Sequence, residues 1–316
     1  MSVFTMLQRP ELEAFLTGFG LGRLHSFRGI AEGAENSNFF VSLDAGEYVL
    51  TLVERGDSEA LPFVLQLLER LHLAGLPVPF AIPDKQGAMQ LQLDGKPALL
   101  QPRLPGKHIL QPNPGHCAEV GKVLARLHLA THAEPIVHAP ERGLPWMLEQ
   151  GRQLQQRLAG SSRHLLHDSL QEVQHLQDAW PKLPQANLHA DLFRDNVLFD
   201  GPHLSGIIDF YNACSGPMLY DLAIALNDWC SLADGSLDGK LARAMLAGYA
   251  SLRPFSQAEG MHWASMLRVA CLRFWLSRLL AAGTPGSAGV QIKAPAELEQ
   301  RLRLRGQVAL QLPLAL

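Results

Sequence analysis

The stretch NLHADLFRDNVLF, residues 187–199, places one His, two Asp and one Asn within eight positions of otherwise apolar sequence. With charged residues at only 18% of a 316-residue chain, two acids and an arginine gathered in one place ask for a chemical reason. Short β-type segments surround them: ANLH leads in, NVLF leads out, and LSGIID (204–209) ends in a further acid, Asp209. The polar cluster is thus expected on a loop between strands, with Asp209 closing the strand that follows.

Toward the N-terminus the pattern has period two. LHSFRGI (24–30), NFFVSLD (38–44) and EYVLTLV (47–53) alternate or are rich in β-formers, and DAG turns between the last two, so an antiparallel meander is expected. A helix follows from Leu61 to Leu73, where apolar residues recur at three- and four-residue spacing; Ser58 can cap it, and Gly75 with Pro77 stops it. AMQLQLD (88–94) and KPALLQP (96–102) give two more strands about a tight turn at Gly95, and RLPGKHILQPNPG reads as a hinge or linker. Beyond it the period becomes helical: residues 116–132, 144–159, 164–180, 220–230, 240–250, 261–282 and 296–310 read as helices. The expected fold class is α+β with two lobes: a small antiparallel-β lobe over 1–102 and a larger, mainly helical lobe over 103–316.

Composition narrows the function classes. Hydrophobic residues at 47% specify a globular chain, and a formal charge of −3 without a Lys/Arg block gives no field for nucleic acid. No apolar run approaches the roughly 18 residues of a membrane span, and the N-terminus lacks a basic segment before an apolar one, so no membrane partner is expected. Cys117, Cys214, Cys230 and Cys271 form no CxxC pair, and reduced thiols in a cytoplasmic protein account for them. His128 and His132 stand four apart, downstream of His116 and Cys117, but lack the Glu of HExxH; a packed helix with surface histidines is the simpler reading than a zinc site. Trp229, Trp263 and Trp275 are expected in the core.

His189-Ala190-Asp191, then Asn196, then Asp209-Phe210 reproduce the order H-x-D-x-x-x-x-N and D-F of phosphotransferases built like protein kinases. The chemistry suits the spacing, because phosphoryl transfer needs an oriented hydroxyl, screened phosphate charge and alignment more than covalent work. Asp191 would accept or orient the hydroxyl proton, while Asn196 and Asp209 would offer oxygen ligands to Mg²⁺. His189 would fix the loop through hydrogen bonds, and Asp221 would accept backbone N–H groups of the same loop. For Arg194 and Asp195 a local ion pair competes with a contact to substrate or phosphate.

With these motifs the chain resembles the aminoglycoside phosphotransferase-like family of small-molecule kinases, over nearly its whole length. GAENSNFFV sits where the family's phosphate loop lies, GLPVP follows the small-lobe helix, and LARLH opens the large lobe. GAENSNFFVSLDAGEYVLTLVERG, HADLFRDNVLF and ALPFVLQLLERL look like the branch whose acceptor is L-homoserine. The resemblance implies a protein-kinase-like fold, ATP and Mg²⁺ as cofactors, and phosphorylation of a small hydroxylated metabolite. Choline, methylthioribose or an aminoglycoside is the alternative acceptor, and a nucleotide-binding chain without turnover is the alternative class.

One departure from the family is plain: Thr51 stands at the position of the phosphate-binding Lys, and its usual Glu partner falls on or near Val64. Losing both leaves no stranded charge. Gly33, Ser37, Asn38 and Arg55 are then the candidates for phosphate contact, with Asn36 and Asn38 equally suited to stabilising turns. Adenine would meet the backbone of Gln101 to Arg103, sandwiched by apolar residues such as Leu50. An amino-acid acceptor needs a cation and an anion: Arg268, Arg273 or Arg278 for its carboxylate, with Arg273 preferred, and Asp195 or Asp228 for its ammonium.

Overall fold

The computed structural model describes residues 5–30, 36–54, 60–282, 294–307 and 310–314. They fall into two compact units, the first ending at Pro105 and the second beginning at Gly106.

The first unit is a five-stranded antiparallel sheet. Its strands are β1 (Leu24–Gly29), β2 (Ser37–Leu43), β3 (Gly46–Leu52), β4 (Leu91–Leu93) and β5 (Lys96–Pro102), in the order β1-β2-β3-β5-β4. Two short hairpins set the register. Leu43 lies opposite Gly46 across Asp44 and Ala45, and Leu93 lies opposite Lys96 across Asp94 and Gly95. Asp94 (φ 51°) and Gly95 (φ 69°) both take the left-handed conformation that a twisted two-residue hairpin demands. Strict alternation in β2 buries Ser37, Phe39, Val41 and Leu43 and leaves Asn38, Phe40 and Ser42 half-buried.

The buried face of the sheet is covered by α1 (Arg9–Thr17), which the sequence reading did not anticipate. Leu12 and Leu16 of α1 join Phe39, Val41, Leu50 and Leu52 in one apolar cluster. Each fully buried Leu contributes about 2 kcal/mol there. Pro10 starts this helix and Leu12 and Leu16 stand four apart, a signal too short for periodicity to stand out. The helix α2 spans Leu61–Leu73 as expected, with Val64 buried; Ser58, the expected cap, lies outside the described residues.

The second unit is helical. Its helices are α3 (Pro114–His132), α4 (Leu144–Gln155), α5 (Gly160–Leu176), α6 (Met218–Trp229), α7 (Gly239–Ala250), α8 (Gln257–Ala282) and α9 (Pro295–Arg305). Asn113 caps α3 in a reciprocal pair with His116. The fifth helix stops short of the expected residue 180, because Pro181 lies in a separate 3-10 turn, Trp180–Lys182. Helices α3 and α7 touch through glycines: a Cβ on Gly121 would sit 2.2 Å from the Met245 carbonyl, and one on Gly248 2.2 Å from that of Ala118. Trp229, Trp263 and Trp275 are core residues. All four cysteines are buried and free. No described helix is long and apolar enough to cross a membrane.

Two small antiparallel pairs interrupt the helices: β6 (Gln185–Leu188) with β9 (Cys214–Pro217), and β7 (Val197–Asp200) with β8 (His203–Ile207). They hold both ends of the loop at 189–196 and both ends of the segment containing Asp209.

Candidate active site

The loop is shaped by a backbone reversal. Ala190 has φ 59°, a conformation that costs an L-residue about 1–2 kcal/mol. The reversal aims two successive N–H groups, of His189 and Ala190, at the two oxygens of Asp221 on α6, each at 2.8 Å. Asp191 follows directly. Asn196 donates its amide to the Asp191 carbonyl at 2.8 Å, which turns its Oδ1 the other way. The Ile208 N–H bonds the Asn196 carbonyl at 3.0 Å, so Asn196 and the residue before Asp209 lie side by side. Asp209 is exposed and also left-handed, with φ 65°.

His189 is fully buried and braces two segments. Its Nε2 bonds the Ile208 carbonyl at 2.9 Å, and its Nδ1 lies 3.2 Å from the Asp191 N–H. A carbonyl can only accept and an N–H can only donate, so the ring is neutral with its proton on Nε2. Burial pushes its pKa below the ordinary value in the same sense. Both ring nitrogens are used, which suits a brace rather than a nucleophile.

Behind the loop lies a buried chain from α7 to α6. Tyr249 donates to His128 Nδ1 at 2.8 Å, and His128 Nε2 donates to Asp221 Oδ2 at 3.1 Å. His128 is therefore no surface residue, as expected from sequence, but wholly buried; His132 is the exposed one, bonding the Gln185 carbonyl. Burial holds His128 below its ordinary pKa despite the acid beside it. For Asp221, burial acts to raise the pKa, but the bonds from His128 and the loop amides outweigh it and hold the carboxyl below its usual range.

The donor set suits a hard divalent cation. Among the described residues no three His, Cys, Asp or Glu gather as a metal site. A cation here would rest on Asn196 Oδ1 and the Asp209 carboxylate, completed by phosphate oxygens and water, which is the habit of Mg²⁺.

Two expected nucleotide contacts in the first unit need correction. Ser37 and Leu50 are both 0% exposed and lie on the α1 side of the sheet. Ser37 donates to Glu54 at 2.5 Å and accepts the Thr5 N–H; Leu50 belongs to the apolar cluster. The reason is the two-residue pleat, which turns the neighbours Asn38, Val49 and Thr51 to the other face. There Thr51 donates to Asn38 Oδ1 at 2.7 Å. Gln101 lies opposite Val49, and Arg103 stacks its guanidinium 4.1 Å from the Phe40 ring centroid. Gly33 and Arg55 lie outside the described residues.

The residues expected to bind an amino-acid acceptor already have partners in the second unit. Arg268 pairs with Glu172 at 2.7 Å and Arg278 with Glu297 at 3.2 Å. Arg194 pairs not with Asp195 but with Asp228, whose Oδ2 accepts both its N–H (2.9 Å) and its Nε (3.1 Å). Arg273, expected at the substrate carboxylate, is buried and donates to the Ala190 carbonyl at 2.6 Å and to Asn212 Oδ1 at 2.9 Å. Asp195 is exposed. Sequence reasoning missed Tyr249 and Asn212 and gave His128 only a place on the surface; of these, Asn212 alone, three residues after Asp209, stood near enough to a motif to be found.

A small antiparallel-β unit followed by a helical unit, whose braced loop carries an aspartate, an asparagine and a second aspartate in this order, defines a phosphotransferase of the protein-kinase-like class. The chain belongs to the phosphotransferase enzyme family, whose model matches residues 26–255. It is 62% identical over 316 residues to the homoserine kinase of Pseudomonas aeruginosa (strain UCBPP-PA14), covering 100% of both chains. It is 41% identical over 304 residues to that of Methylobacillus flagellatus, covering 96% of this chain and 95% of the relative. Among solved structures, the microcompartment-associated aminopropanol kinase superposes with a TM-score of 0.71 at 18% identity, over 95% of this chain and 97% of that one. Spectinomycin phosphotransferase, solved with ADP and spectinomycin, does so with a TM-score of 0.64 at 15% identity, over 95% and 94%.

Proposed function

We propose that the chain transfers the γ-phosphoryl group of ATP to the side-chain hydroxyl of L-homoserine, a step toward threonine, in the cytoplasm. The acceptor rests on one observation, the 62% identity that runs the full length of both chains. The chemistry rests on the loop.

In this reading Asp191 orients the acceptor hydroxyl and takes its proton as the oxygen attacks phosphorus in line. The reversed backbone at Ala190 fixes where the Asp191 side chain leaves the loop, and the buried Asp221 keeps that reversal in place. His189 moves no proton, since both its nitrogens are engaged. Asn196 and Asp209 would hold Mg²⁺, which when bound screens the phosphate charge. In the first unit, Asn38 and Thr51 are the polar groups for phosphate, and the Gln101 to Arg103 backbone with Val49 and Phe40 is the surface for adenine. Reduced, buried thiols accord with a cytoplasmic setting.

The test is ADP release with Mg²⁺-ATP in the presence of homoserine, choline, methylthioribose or an aminoglycoside. Selective turnover of homoserine, abolished in Asp191→Asn while ATP still binds, is the expected result. Turnover of another acceptor moves the substrate assignment. Nucleotide binding without any turnover sinks the enzyme reading.

A further inference from the structure

Asp191 has a neighbour that no motif assigns. Asn212 lies in the short turn Phe210–Asn212 that follows Asp209, and its Nδ2 is 3.4 Å from Asp191 Oδ2. The orientation of an asparagine amide is fixed by its partners, and here the partner on the other side is Arg273 of α8, 2.9 Å from Oδ1. A guanidinium has donors and no acceptor, so it can face only the amide oxygen. The NH₂ group is thereby turned toward the Asp191 carboxylate.

The same guanidinium reaches the Ala190 carbonyl at 2.6 Å. Arg273 thus grips the loop twice, once at the reversed peptide just before Asp191 and once through Asn212 at the carboxylate itself. It is buried, and its planar fork loses little freedom in making both bonds. From this geometry we infer that Asn212 and Arg273 are positioning residues for Asp191, the arginine orienting the amide and the amide orienting the carboxylate. At 3.4 Å this hydrogen bond is long, and the grip of Arg273 on the amide oxygen sets its direction.

The inference rests on Asp191 being the base, and the two can fail separately. If Asp191→Asn keeps turnover with homoserine, the reading of the base is wrong. If Asp191→Asn is inactive and the variants below behave as wild type, only the inference about Asn212 and Arg273 is wrong.

Asn212→Asp keeps an oxygen for Arg273 but sets a carboxylate where Asp191 now meets a donor. A displaced or repelled base lowers kcat by about 100-fold, with KM for homoserine and for ATP within about twofold of wild type. The like charge also moves the acid limb of the kcat–pH profile to higher pH, which a merely structural asparagine would not do. Arg273→Lys keeps a cation but cannot grip both groups, and lowers kcat by about tenfold at constant KM. It carries the test if Asn212→Asp fails to fold. Unchanged kcat and pH profile overturn the inference, as does a raised KM for homoserine at constant kcat, which would make Asn212 an acceptor contact instead.

Discussion

Around residues 189–196 the polar groups are fixed from behind by buried side chains of distant helices, whereas on the face of β2, β3 and β5 turned away from α1, where Thr51 and Gln101 are buried and Asn38 half-buried, the contacts described join neighbouring strands. Asp221 and Arg273 between them take the His189 and Ala190 amides and the Ala190 carbonyl, and Trp229 takes the Leu192 carbonyl. On the sheet, Thr51 donates to a side chain on the next strand, Asn38, and Arg103 lies on the Phe40 ring. The contrast follows from what each region does. A base that must meet a hydroxyl within fractions of an ångström needs a rigid backbone, while a surface that receives a base and a phosphate chain gains its order from the ligand. Strain at Ala190 is tolerable in the first region because its neighbours over-determine it.

The largest effect that separates the two regions is expected at Asp221. Replacing it with Ala strands the two loop amides and leaves His128 without its acceptor, all of them buried. A cost of about 3–5 kcal/mol in unfolding free energy and loss of turnover are expected, read by denaturant titration and ADP release. A loss under about 1 kcal/mol would mean that the loop does not depend on its buried brace.

The pH dependence sharpens the same point. His128 and His189 are held neutral by burial, so their folded pKa values lie below the ordinary 6.5. Below that pH the unfolded chain binds protons that the folded chain refuses, and stability falls as pH falls. The slope reaches up to about 1.4 kcal/mol per pH unit for each histidine and vanishes above 6.5. Asp221 acts in the other window: its depressed pKa contributes stability above the ordinary 3.8, lost only in stronger acid. A denaturation midpoint that stays flat from about pH 7.5 to 5.5 would show the histidines to be open to solvent.

Next in size is the contact of α3 with α7, which sets His128 against Tyr249. Gly121→Ala or Gly248→Ala places a methyl 2.2 Å from a facing carbonyl oxygen. The helices must part, costing about 1–3 kcal/mol and weakening turnover in step with stability. Either variant at wild-type melting temperature would show that the helices can shift without loss.

How far sequence reached follows the same division. The strands, the helix at 61–73 and the order His189, Asp191, Asn196, Asp209, Asp221 were legible, because alternation and motif spacing are local. The partners were not. His128 lies 121 residues from Tyr249 and 93 from Asp221, and Arg273 lies 83 from Ala190. Nothing in a helical stripe says whether an arginine looks toward a ligand or a carbonyl, and so the sequence alone points Arg273 to a substrate carboxylate. For Ser37 and Leu50 the difference is one of phase: alternation in β2 does not say which of its two faces meets α1, and in β3 Leu50, Thr51 and Leu52 are all buried, so burial does not tell one face from the other.

That question of phase decides the smallest expected effect. Thr51 leaves the polar face without the family's lysine, and Lys96 at the start of β5 offers itself as a substitute. Yet Lys96 pairs with Glu54 at 2.5 Å and bonds Thr5, just ahead of α1, and both Glu54 and Thr5 also bond Ser37. This places the lysine on the α1 side with Leu50 and Leu52, opposite Thr51. Burial acts to raise the Glu54 carboxyl, but the bonds from Lys96, Ser37 and Thr5 outweigh it and hold its pKa below the usual value. The pair therefore serves to seal the edge of the apolar cluster. Lys96→Met is expected to cost about 1 kcal/mol, since Glu54 keeps its two hydroxyl donors. KM for ATP is expected to stay the same, because no phosphate contact is lost. A severalfold rise in that KM at unchanged stability would put Lys96 on the nucleotide and restore, from another strand, the charge that Thr51 lacks.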